Sequence, residues 1–138
     1  MLLFLDTSSL VKLYMEEDES SKVDAMVKTS DVTVTSIIAY AEARAAFARR
    51  FREKAFERRE YDRVKEYFDM DWHRFFILNV TGSLVSFAGD LAERHALRGF
   101  DSIHLASALI LSRIIDSPLT FSCFDDRLEK AATLEKLE

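Results

Sequence analysis

The sequence predicts an α/β fold around a central, mostly parallel sheet of four to five strands, and three observations lead there. Short runs of apolar and β-branched residues alternate with longer segments of helical period, as happens when helices pack on both faces of a parallel sheet. The first run, Leu2 to Leu5, is apolar throughout, which suits a strand buried on both faces. The 138 residues include one proline and three glycines and no linker-like stretch, so one domain over residues 1–138 is expected.

Taken in order, Leu2 to Leu5 is the first strand and ends on Asp6. Ser8 to Glu16 follows as a helical segment, with Ser8 or Ser9 available as its cap. Val32 to Thr35 is rich in β-branched residues and forms the second strand. From Ile37 the pattern turns helical and persists to about Phe51; a charged amphipathic helix, Phe56 to Trp72, is expected to fold back on it as a hairpin. Phe75 to Val80 is the third strand. Two helices, Leu84 to Ala96 and Asp101 to Ile115, flank Leu97-Arg-Gly-Phe100. Pro118 breaks the chain before the fourth strand, Leu119 to Phe124, and Arg127 to Leu134 closes the order as a helix.

A composition of 49% hydrophobic and 31% charged residues is that of a soluble globular protein. The formal net charge of −5 argues against nucleic-acid binding driven by overall charge. Charge is nevertheless segregated: Arg44 to Arg59 holds seven basic and two acidic residues, a local +5, which leaves −10 for the rest. No apolar run approaches the ~18 residues of a membrane span, and the opening Met-Leu-Leu-Phe-Leu is short for a signal peptide. The lone Cys123 excludes an internal disulfide and suits a reducing compartment, so the cytoplasm is the expected location.

Four carboxylates carry the candidate chemistry. Ligands of open parallel sheets sit beyond the carboxyl ends of the strands, where Asp6 and Asp125 follow the first and last strands. Asp101 falls in the first turn of its helix, where the helix dipole favours a negative side chain, and Glu42 falls in the first turns of the helix after the second strand. Taken singly, each has a plain explanation as a turn, cap or solvated residue. In a parallel sheet all four can meet at one edge. Two unit charges about 4 Å apart cost about 4 kcal/mol at an effective dielectric near 20, so such a cluster calls for a cation. Hard oxygen donors without Cys or His suit Mg²⁺ or Mn²⁺, and such an ion can activate water against a phosphodiester.

Around these residues the chain resembles the PIN domains, and within them the VapC-type toxins of toxin–antitoxin pairs. The matching segments are Phe4-Leu-Asp-Thr-Ser-Ser-Leu-Val-Lys-Leu-Tyr14, Val34-Thr-Ser-Ile-Ile-Ala-Tyr-Ala-Glu42, Leu97-Arg-Gly-Phe-Asp-Ser-Ile-His-Leu-Ala-Ser-Ala-Leu109 and Phe121-Ser-Cys-Phe-Asp-Asp-Arg-Leu128. The resemblance implies a three-layer α/β/α sandwich and a Mg²⁺- or Mn²⁺-dependent endoribonuclease that leaves 5′-phosphate and 3′-hydroxyl ends. Asp6, Glu42, Asp101 and Asp125 match the family's acidic positions, which serve as catalytic and metal-binding residues. Glu42 acts either as a direct ligand or through water. Ser8 matches a supporting hydroxyl. A homodimer and a cognate antitoxin that inserts a segment into the active-site groove are also implied. Two departures stand out: Cys123 replaces the usual Thr or Ser two residues before the last Asp, and a final edge strand is expected to be short or missing. A catalytically silent PIN module used for binding is the alternative, and Cys123 is the feature in its favour.

The arginines at Arg44, Arg49, Arg50 and Arg52 are candidate contacts for RNA or for an acidic antitoxin, or else the solvated side of the helical hairpin. The interleaved Phe47, Phe51 and Phe56 are read as core. His104, three residues after Asp101, is read as a packed or hydrogen-bonded histidine rather than a general base.

Overall fold

The structure is a computed structural model, and it describes residues 1–137. Four strands, β1 (Leu2–Leu5), β2 (Val32–Ser36), β3 (Phe76–Leu78) and β4 (Leu119–Ser122), form one sheet in the order β3-β2-β1-β4. Every pairing among them is parallel. β1 is central, with Leu2 opposite Val32 on one side and Leu119 on the other.

Because side chains alternate along a strand, β1 feeds two cores. Leu3 and Leu5 face a layer made by α1 (Thr7–Leu10), the 3₁₀ turn Val11–Leu13, α2 (Ser20–Thr29), α3 (Ala39–Arg52) and α4 (Arg58–Trp72). Phe4 faces the layer made by α5 (Gly82–His95), α6 (Gly99–Ile114) and α7 (Asp126–Leu134). These are the two helical layers of an α/β/α sandwich. α3 and α4 form the expected hairpin, tied by an aromatic cluster: Phe68 lies against Tyr14, Tyr40, Phe47 and Trp72, and Phe51 stacks on Tyr61.

The structure corrects several local expectations. The helix over Ser8–Glu16 is instead the four-residue α1 followed by the 3₁₀ turn, and its cap is Asp6 rather than Ser8 or Ser9. The Asp6 carboxylate accepts from the Ser9 amide at 2.9 Å, which starts the helix at Thr7, one residue early. α2 went unread because it buries only Val23 fully and the preceding Glu19 gives it no side-chain cap. β3 and β4 are shorter than expected: the pairing of β3 with β2 ends at Leu78, and that of β4 with β1 ends at Ser122. α6 starts at Gly99, two residues before the expected Asp101, and buries Leu105, Ala106, Ala108 and Leu109 in the core.

Candidate active site

In this strand order the chain crosses over between β1 and β4, and a crevice opens beyond their carboxyl ends. Asp6 leaves β1 and Asp125 lies just past β4. The crevice is braced by backbone and hydroxyl bonds. The Asp6 amide donates to Ser122 at 3.2 Å, Thr35 Oγ1 donates to Leu5 at 2.7 Å, and the Ser9 and Ser122 hydroxyls meet at 2.8 Å.

Asp6 is only 3% exposed. Ser8 Oγ donates to its carboxylate oxygens at 2.7 and 2.9 Å and itself accepts from the Phe124 amide at 3.0 Å, so Ser8 links the ends of β1 and β4. Burial nevertheless pushes the Asp6 carboxyl above its ordinary range, outweighing the His104 imidazole and the Ser8 and Ser9 hydrogen bonds; nearby Asp101 adds to the rise.

Glu42, in the first turn of α3, is fixed from two sides. Thr7 Oγ1 donates to Oε1 at 2.6 Å, and His104 Nε2 lies 2.8 Å from the same oxygen. Burial opposes ionisation here too, but the hydrogen bonds from His104 and Thr7, aided by the charges of His104 and Arg98, hold Glu42 below the usual carboxylate range. With the Nε2 hydrogen directed at Glu42, the buried Nδ1 is left without a partner among the described residues.

Asp101 and Asp125 are bridged by Arg98, whose Nε lies 3.0 Å from Asp101 and whose second Nη lies 3.4 Å from Asp125. Asp125 also caps α7 by accepting from the Leu128 amide at 3.0 Å. Cys123 sits nearby with its thiol pushed up to about 12, by burial first and by the Asp6 carboxylate second, so it stays protonated at neutral pH. A cleft of about 520 Å³ opens over Arg98, Asp101, Phe124, Asp125, Asp126 and Arg127.

The structure thus brings Asp6, Glu42, Asp101, Asp125, Ser8 and Cys123 to one sheet edge. It does not bring them into a finished cage: among the described residues, no three acidic, imidazole or thiol groups stand close enough to enclose an ion. The donors still suit a hard cation. They are carboxylate oxygens, one of them buried, and Mg²⁺ is commonly held by one or two carboxylates with water and phosphate oxygens completing its shell. Thr7 and Arg98 were not singled out from the sequence, although each is close in sequence to a candidate carboxylate, Thr7 beside Asp6 and Arg98 three residues before Asp101. His104 is hydrogen-bonded as expected, but its partner is Glu42.

Of the basic cluster, Arg49 pairs with Glu53 and Arg50 with Glu17, while Arg44 donates to Tyr40. Phe47 is fully buried, whereas Phe51 is only partly so.

Residues 3–134 match the family model of the PIN domain. The chain belongs to the PIN-domain family. Within that family, Ribonuclease VapC45 of Mycobacterium tuberculosis (strain CDC 1551 / Oshkosh) is 34% identical over 131 residues, covering 95% of this PIN domain chain and 89% of the relative. Ribonuclease VapC49 of strain ATCC 25618 / H37Rv matches to the same extent. Among solved structures, the sarcin–ricin loop cleaving toxin VapC20 of M. tuberculosis superposes with a TM-score of 0.69 at 18% identity, covering 94% of each chain. VapBC2 of Rickettsia felis, solved with a promoter DNA fragment, superposes at 0.65 with 14% identity over 95% of this chain and 93% of that one. These two likenesses speak to the PIN fold.

Proposed function

We infer that the chain is a divalent-metal-dependent endoribonuclease and the toxin of a toxin–antitoxin pair. What supports the reading is a PIN domain whose curated relatives are VapC ribonucleases, with four carboxylates, one of them buried, carried at the carboxyl edge of its sheet. Asp6, Asp101 and Asp125 would hold Mg²⁺ or Mn²⁺. When bound, the ion supplies an activated water and neutralises charge on the scissile phosphate.

The chain's own residues do the rest. Ser8 orients Asp6 through its two contacts, and the cap to Leu128 orients Asp125. Thr7 and His104 keep Glu42 ionised and aimed, so that Glu42 acts through water and can receive its proton. Arg98 carries a forked guanidinium that can pass from the carboxylates to phosphate oxygens. Cys123 contributes no ligand while its thiol remains protonated.

A homodimer in the cytoplasm and a cognate antitoxin complete the proposal.

The test is cleavage of structured RNA with and without Mg²⁺, beside the Asp101→Asn variant. Cleavage should vanish in EDTA and in the variant, while circular dichroism and Tm show an intact fold. Full activity in either case refutes the reading.

A further inference from the structure

A second cleft, of about 510 Å³, lies between the α5–α6 turn and the exposed face of α7 and is lined by Arg94, His95, Arg127 and Lys130, with Asp126 as its acidic member. Asp126 and Arg127 also line the cleft over the carboxylates, so the two clefts adjoin. Arg94 and His95 are engaged by Glu135, each at 2.7 Å. Arg127 reaches across to donate to the Ala96 carbonyl at 3.1 Å, and neither it nor Lys130 has a carboxylate partner among the described residues. They are exposed and three residues apart on one helix, hence neighbours on its surface. Phe100, 57% exposed, is outside the lining of both clefts but stands in the first turn of α6, between Arg98 and Asp101, which line the cleft over the carboxylates.

The α3 arginines differ in this respect. Arg49, Arg50 and Arg58 pair with Glu53, Glu17 and Asp62, and no residue of the Arg44–Arg59 stretch lines the cleft over the carboxylates, whereas Arg127 does. Free cations leading away from a hydrolytic centre are what a polyanion needs, and an exposed aromatic ring offers a stacking surface only to bases that are not paired.

We propose that this cleft is the track for unpaired RNA flanking the scissile phosphate, with Arg127 and Lys130 on the backbone and Phe100 stacked on a base. The inference rests on the ribonuclease reading and extends it to the substrate's conformation and path.

The test uses the Asp6→Asn background, which removes a buried carboxylate and leaves the surface unchanged. Binding of a short fluorescein-labelled unpaired RNA and of the matching duplex is followed by anisotropy across a salt series in Mg²⁺. Each phosphate contact on single strands contributes about 0.7 to the logarithmic salt slope. Arg127→Gln with Lys130→Gln should therefore flatten the slope by about 1.4, which removes about seven-fold of the affinity lost between about 50 and 200 mM salt. Phe100→Ala should weaken unpaired RNA by about five-fold or more and leave the duplex unaffected. Lys130→Gln alone, at an exposed position, guards against misfolding of the double variant and should take about half the slope change.

Unchanged slope and affinity in these variants overturn the proposal, also where the surface proves to dock a protein instead. A loss confined to an Arg49→Gln, Arg52→Gln control does the same. If the parent binds no RNA and the native chain cleaves none, the nuclease reading itself has failed. Cleavage with a track elsewhere sinks only this inference.

Discussion

Replacing Arg98 with Gln should tighten the binding of a divalent ion, although it removes the guanidinium that bridges Asp101 and Asp125. The guanidinium approaches Asp101 at 3.0 Å and Asp125 at 3.4 Å, and those are oxygens an incoming ion needs. To bind there, the ion must first displace it. The side chain is 78% exposed, so water screens the attraction; exposed pairs of this kind are worth about 0.2–1 kcal/mol, and two contacts place Arg98 in the upper half of that range. Relief of about 0.5–1 kcal/mol corresponds to an ion Kd about two- to five-fold lower. Mn²⁺ titration read by the EPR signal of the free ion measures this directly. At about 0.5 M KCl, where the Debye length falls to about 4 Å, the gap between variant and parent should narrow. RNA cleavage should move the other way and decline, because the fork that meets phosphate is gone. Weaker or unchanged ion binding in Arg98→Gln would show that the guanidinium supports the ion rather than competing with it.

Three other substitutions probe the site and its scaffold. In EDTA, Asp6→Asn should raise Tm by about 3–5 °C, equivalent to about 1 kcal/mol for a chain of this size. The sign follows from burial: the folded Asp6 carboxyl lies above its unfolded value, so its ionisation costs stability as pH rises through the folded value. The advantage of the variant should thus be small near pH 3.5 and grow as pH rises; a constant difference counts against it. Thr7→Val removes the 2.6 Å bond to Glu42 and should cost about 1 kcal/mol in urea unfolding at pH 7. Since Glu42 is depressed in the folded state, that loss should shrink as pH falls through the carboxylate range, and a loss that grows in acid would contradict it. Phe68→Ala empties a fully buried ring position among four aromatic neighbours and should cost about 3–5 kcal/mol, seen as a Tm lowered by about 10 °C or more; a drop of only a few degrees would mean the cluster repacks.

Which features could be read from the sequence follows from how far each signal travels along the chain. The strand cores were legible because burial imposes an unbroken apolar or β-branched run, as in Leu2–Leu5 and Val32–Thr35. α2 was not, because a helix that buries one residue fully and has no capping side chain leaves little periodic trace. The Asp6, Asp101 and Asp125 positions were legible because strand ends and first helical turns are local facts. Their partners were not. Thr7 finds Glu42 across 35 residues and Arg98 finds Asp125 across 27, so each contact exists only once the sheet order has been set. The Arg44–Arg59 cluster shows the same limit: the local count sees Glu53 beside Arg49, but not that Glu17 reaches Arg50 from another part of the chain.

Asp6 and Asp125 share one device, and it accounts for how a site of mutually repelling groups is held in place. Each leaves a strand, directly or after a short turn, and caps the helix that follows, spending Oδ1 on a backbone amide: Ser9 for Asp6 and Leu128 for Asp125. A cap is worth about 1 kcal/mol, and it fixes the carboxylate plane at the carboxyl edge of the sheet before any ligand arrives. Oδ2 is then left to the crevice, where it meets Ser8 in one case and Arg98 in the other. Repulsion among the acids is thereby opposed by local backbone bonds that require no cation. These bonds hold the two carboxylates at the sheet edge in the orientation the proposed ion would use. Asp6 is the exception in charge, because hydroxyl and amide donors do not offset its burial, whereas Asp101 and Asp125 share a guanidinium. The residual demand for positive charge is therefore greatest at the end of β1, the deepest point of the crevice.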